Sequence, residues 1–135
     1  MSAQVRMADA LLRSVGGRTV LLHVPAAGVS SDVGEQVGLG VPAFQDVELG
    51  LVVFRRVRPR VSTETVTYEL LVSASAVKTL VGSLEYRSAE LLFASTVCVL
   101  VDAVPYYITS ATSAEAFGEV YLYRLALRGA AAGLV

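Results

Sequence analysis

The chain has no tryptophan, and it has one cysteine (Cys98), one histidine (His23) and one lysine (Lys78) among its 135 residues. A single cysteine excludes an intramolecular disulfide framework, and with it the main sign of an oxidising compartment. Its setting, Val97-Cys98-Val99-Leu100-Val101, is that of a small buried hydrophobe rather than a reactive thiol. One histidine and one cysteine do not make a zinc site by themselves, and no Gly-x-Ser-x-Gly elbow accompanies the histidine, so a serine triad has no support. Charge is scarce too: 17% of residues are charged and the net charge is −1, which argues against a nucleic-acid binder held by a global field. The apolar runs are far too short to cross a bilayer. Asp9 and other polar residues interrupt the N-terminal apolar positions, unlike a secretory leader, so a cytoplasmic site of synthesis is the expectation.

What is abundant is aliphatic. The hydrophobic share is 54%, which points either towards an assembly that covers excess apolar surface or to an ordinary domain whose high alanine and glycine count inflates the figure. The length suits one domain, residues 1–135.

Three β-type segments in close succession, Val97–Val101, Tyr106–Ala111 and Val120–Leu127, predict an antiparallel meander turning at Asp102–Pro105. In the last of them Tyr121, Tyr123, Leu125 and Leu127 share one face. Upstream, Val5, Met7, Ala8, Leu11, Leu12 and Val15 recur at spacings of three and four, the apolar face of a helix that Gly16-Gly17 ends. Arg18–Val24 reads as a strand with Val20, Leu22 and Val24 on one side, stopped by Pro25. Val47–Arg58 reads as a long strand in which Val47, Leu49, Leu51 and Val53 share a face, with a bulge or bend at Gly50. Thr65–Ser73 alternates most cleanly, with Val66, Tyr68, Leu70 and Val72 facing in. Ser73 or Ser75 caps a helix over Ala74–Leu84, whose Val77, Leu80, Val81 and Leu84 form a stripe. For Ser88–Ala94, a short helix and a run-in to the next strand fit equally. The fold class expected is mainly β, a small antiparallel barrel or sandwich with one or two short helices.

Residues 25–45 hold four glycines, two prolines and two serines, yet also Val37, Leu39, Val41 and Phe44. A loop of this length in a small domain is usually functional or disordered. It reads as a contact loop that orders against a neighbouring subunit through those four apolar residues; the alternative is that they fold back on the loop's own barrel. Arg55, Arg56, Arg58 and Arg60 form the one basic cluster, suited either to phosphates or a partner's carboxylates, or to blocking edge-to-edge strand pairing. Residues 129–135 read as a small-residue tail.

The order of elements from Val47 to Leu127 resembles the small head-completion or head–tail connector proteins of tailed bacteriophages and prophage particles. The matching text is Val101-Asp102-Ala103-Val104-Pro105-Tyr106-Tyr107-Ile108-Thr109-Ser110-Ala111, a polar interval, then Tyr121-Leu122-Tyr123-Arg124-Leu125-Ala126-Leu127. The helices at Val5–Val15 and Ala74–Leu84 depart from the simplest members, so stopper, adaptor and tail-terminator roles stay open. The resemblance implies a viral structural protein: a β-barrel subunit in a homo-oligomeric ring between portal and tail, in the virion, around a DNA channel. It implies no enzyme activity, cofactor, metal or membrane. The alternative expectation is a small barrel module holding a sugar, peptide or lipid on its tyrosine-bearing face.

Overall fold

The computed structural model describes residues 2–26, 43–57 and 67–129. Val37, Leu39, Val41, Arg58, Arg60 and the tail 130–135 lie outside the described residues. Helix α1 (Ala3–Ser14) leads into β1 (Arg18–Pro25), β2 (Phe44–Val57) and β3 (Thr67–Ser73); helices α2 (Ala74–Ser83) and α3 (Ala89–Ser95) follow, then β4 (Cys98–Val101), β5 (Val104–Ala116) and β6 (Glu119–Gly129). The six strands close into an antiparallel barrel in the order β1-β2-β3-β6-β5-β4. The expected mainly β fold is therefore present, as a barrel rather than a sandwich.

Alternation fills the barrel. Val20, Leu22 and Val24 of β1, Leu70 and Val72 of β3, Val99 and Val101 of β4, and Leu125 and Leu127 of β6 are all buried. Adjacent strands project alternate residues inward, so these aliphatic side chains converge on one axis and leave the barrel solid. At one end Phe54, Tyr68 and Tyr106 plug it, their ring centroids 4.9 to 5.4 Å apart. At the other end the same core continues into Val77 and Leu80 of α2 and Leu92 and Phe93 of α3, with Tyr123 edge-on to Phe93 at 5.5 Å. Ser88 caps α3 by accepting from the Leu91 N–H, which decides between the two readings of that segment in favour of a helix.

Three features depart from the sequence expectation. The β1–β2 register shifts between Arg18↔Val52 and Val20↔Leu49, so a bulge follows Leu49. Past it, Val52 rather than Leu51 or Val53 is the buried residue, because one extra residue inverts every later side chain. A second shift pairs Ala114 with Leu122 but Glu115 with Val120, which takes Tyr121 off the face of Tyr123. The third is in β5, which runs on through Thr112–Ala116, where the sequence reads as a polar interval. That stretch is mostly exposed on both faces, so its alternation carries no hydrophobic signal.

The hairpin turns are tight. Asp102 and Ala103 (φ 51° and 66°) join β4 to β5, and Phe117 and Gly118 (φ 53° and 76°) join β5 to β6. Two consecutive positive φ values match the right-handed twist of the flanking strands. At the foot of α1, a Cβ on Gly17 would stand 2.3 Å from a Leu51 methyl and 2.9 Å from the Leu12 carbonyl oxygen, so only glycine lets the chain turn this close beneath the helix.

Candidate functional site

Helix α1 lies on the outside of the barrel against β2, β3 and β6. Val5, Ala8 and Leu12 are buried there, whereas Met7, Leu11 and Val15 remain 65%, 61% and 64% exposed. The apolar positions expected to form one helical face thus divide into two neighbouring stripes, about 90° apart at 3.6 residues per turn. The barrel covers only one of them. The open stripe forms one wall of an apolar groove of about 650 Å³ whose opposite side includes Val53, Leu71, Tyr121 and Leu122. Two of the sheet's register shifts build that side. The shift in β2 turns Val53 outward, and the shift in β6 brings Tyr121 beside Leu122.

Among the described residues, the one charged side chain lining the groove is Arg55. Arg6 and Arg13 of α1 are exposed on the side of the helix turned away from it, while the helix's one carboxylate, Asp9, is buried. Asp9 accepts hydrogen bonds from the Ser73 and Ser75 hydroxyls, each at 2.8 Å, which pins α1 to the β3–α2 junction. Arg55, which borders the groove, pairs with Glu69 at 2.8 Å, and Arg124 reaches the same carboxylate oxygen at 3.1 Å. Two guanidiniums on one carboxylate leave one positive charge in excess.

Of the expected contact residues, Phe44 is described. It is 47% exposed at the start of β2 and stacks on His23 at 5.1 Å. Of the expected basic cluster, Arg55 is committed to Glu69, and Arg56 is exposed on the opposite side of the strand. The four late tyrosines form no common platform. Tyr106 belongs to the aromatic plug, Tyr107 lies under the Arg128 guanidinium at 5.0 Å, Tyr121 lines the groove and Tyr123 meets Phe93.

Sequence reading also misses a cross-strand row. His23 stands opposite Asp46 in the β1–β2 register and opposite Cys98 in the β1–β4 register. The His23 Nδ1–H donates to Asp46 Oδ1 at 2.8 Å. Cys98 is therefore an outward-facing, half-buried residue and not part of the core as expected. Burial, with the Asp46 charge as a smaller cause, pushes its thiol above the ordinary value of 9.0, the opposite of what an activated nucleophile needs. Among the described residues, no group of three or more His, Cys, Asp or Glu stands close enough to hold a metal ion. Nor is any described helix long and apolar enough to cross a membrane.

Phe117 was also missed. It occupies the tip of the β5–β6 hairpin at positive φ and is 95% exposed. A bulky side chain in that backbone region costs about 1–3 kcal/mol. Comparison with protein-family models, with curated proteins and with solved structures finds no match.

Proposed function

We propose that the protein is a structural subunit that works by assembling, the role implied by its resemblance to head–tail connector proteins. The observation that carries the reading is the open groove beside α1. Among the described residues the barrel interior is filled by aliphatic side chains, while its outside leaves a stripe of large aliphatic side chains in water. Contiguous apolar surface of this kind marks an interaction site. Phe117, held at a hairpin tip, supplies a second point of contact suited to insertion into a partner. In a ring between portal and tail, Arg55 is occupied by Glu69, so contact with DNA in the channel would fall to Arg56, Arg58 and Arg60.

Mass measurement in solution tests the reading. The wild-type chain is expected to form discrete oligomers, and Leu11→Glu, which puts a charge on the exposed stripe without touching the core, to remain monomeric with an unchanged circular dichroism spectrum. A chain monomeric at every concentration, with Leu11→Glu indistinguishable from it, would overturn the proposal. The groove also favours a second reading, a module for an apolar peptide or a lipid with an acidic end, because Arg55 stands in its mostly aliphatic and aromatic lining. Binding of a fatty acid by a monomeric wild type, lost in Leu11→Glu, would support that reading instead.

A further inference from the structure

We infer that the groove of one copy receives residues 33–41 of a second copy; the inference rests on the assembly reading above and names the occupant of its docking surface. Four observations converge on this segment, Val33-Gly34-Glu35-Gln36-Val37-Gly38-Leu39-Gly40-Val41.

The first is spacing. Met7, Leu11 and Val15 succeed one another every four residues, about 6 Å apart along α1 at 1.5 Å per residue. In an extended chain Val37, Leu39 and Val41 fall on one side at intervals of about 6.6 Å. Three side chains therefore meet three.

The second is thickness. Gly38 and Gly40 alternate with those apolar residues, so an extended segment would carry side chains on one side only. Such a strip can lie between a helix and a sheet where a strand with two populated faces would not fit.

Charge is the third. Residues 27–42 carry Asp32 and Glu35 and no cation, whereas Arg55, which lines the groove, belongs to an Arg55–Arg124–Glu69 group with one positive charge in excess. Glu119, which lines a separate cavity near the start of α1, accepts from the Ser2 hydroxyl that caps the helix. Opposite signs across a rim orient a partner and speed its arrival.

Reach is the fourth, and it selects a second copy over the chain's own segment. Leu39 is five residues from Phe44, at most about 18 Å of extended chain. Val53 of the groove is nine residues along β2 from Phe44, roughly 30 Å at the rise of a strand. The chain's own segment falls short, while a neighbour's is free to arrive from any direction. Because donor segment and acceptor groove are different surfaces on each copy, the contact either is exchanged reciprocally in a two-fold dimer or runs head-to-tail until it closes into a ring or continues as a filament.

Mixing two variants of the full chain tests this. Leu11→Glu spoils the groove and keeps the segment; Leu39→Asp spoils the segment and keeps the groove. Each alone should associate about 30-fold or more weakly than wild type, the effect of removing a central apolar contact. Together in equal amounts they should form a species of twice the monomer mass and nothing larger, since each pair retains one working contact. Wild-type assembly that survives Leu39→Asp but not Leu11→Glu would overturn the segment assignment and leave the groove as the docking surface. Two monomeric variants that fail to pair when mixed would overturn it as well. A wild type that never assembles would remove both this inference and the proposed function.

Discussion

Asp9 of α1 and Ser73 at the end of β3 meet at 2.8 Å across 64 residues of chain. Ser73 donates its hydroxyl hydrogen to the Asp9 carboxylate while its oxygen accepts from the Ala76 N–H and caps α2. One serine thus fixes the start of one helix and the position of another. Ser73→Ala should lower stability by about 2–4 kcal/mol, the loss of a cap together with a buried partner of a charged group. Asp9→Ala should cost about 1–3 kcal/mol, and the double variant less than the sum, because each single change already breaks the shared bond. Urea unfolding of the four proteins checks it.

The tip of the β5–β6 hairpin exchanges stability for exposure. Phe117→Asn makes an Asn-Gly pair, the residues that a turn with two positive φ angles prefers. The variant should be more stable by about 1 kcal/mol. If Phe117 is a contact residue, the same variant should assemble less well. Thermal unfolding and solution mass, measured on one preparation, read the two effects separately.

Tyr123 provides a signature at high pH. Burial, then the charges of Glu90 and Glu115, raise its hydroxyl above the ordinary value of 10.0. The folded chain therefore holds this proton more tightly than the unfolded chain. Its contribution to stability is whole below pH 10 and is lost as the pH rises through the folded value. Phe in its place keeps the ring and removes the ionisation, so Tyr123→Phe should flatten the fall in stability above pH 10. Denaturant midpoints across the alkaline range would show it, and equal slopes for both proteins would contradict it.

Cys98 should be a slow thiol. With its ionisation pushed above 9.0, little thiolate exists at neutral pH, and alkylation by iodoacetamide should lag that of free cysteine. The rate should climb only in alkaline buffer. Asp46→Asn removes the smaller of the two causes and should speed the reaction modestly.

Much of the barrel was legible from local pattern. The alternation in Arg18–Pro25 and Thr67–Ser73 marked the inward residues correctly, and Ser73 and Gly16-Gly17 marked helix boundaries, because capping and strand pleat depend on neighbours in sequence. The groove was not legible. It exists because one extra residue near Gly50 turns Val53 outward, because another takes Tyr121 out of phase, and because α1 has a wider apolar stripe than the barrel covers. None of these is a property of its own segment. The role of Asp9 was hidden for the same reason: its partners, Ser73 and Ser75, belong to a different part of the chain.

The amino-acid sequence by itself determined that this chain folds as a mainly β domain with aliphatic filling, barrel or sandwich, since side-chain alternation and turn chemistry are settled within a few residues, whereas closure into a barrel depends on pairing between distant strands. Only the tertiary structure decided which apolar residues are left outside. That outcome depends on strand register, and register is a balance among pairings between distant segments, so a shift of one residue moves a side chain from core to surface.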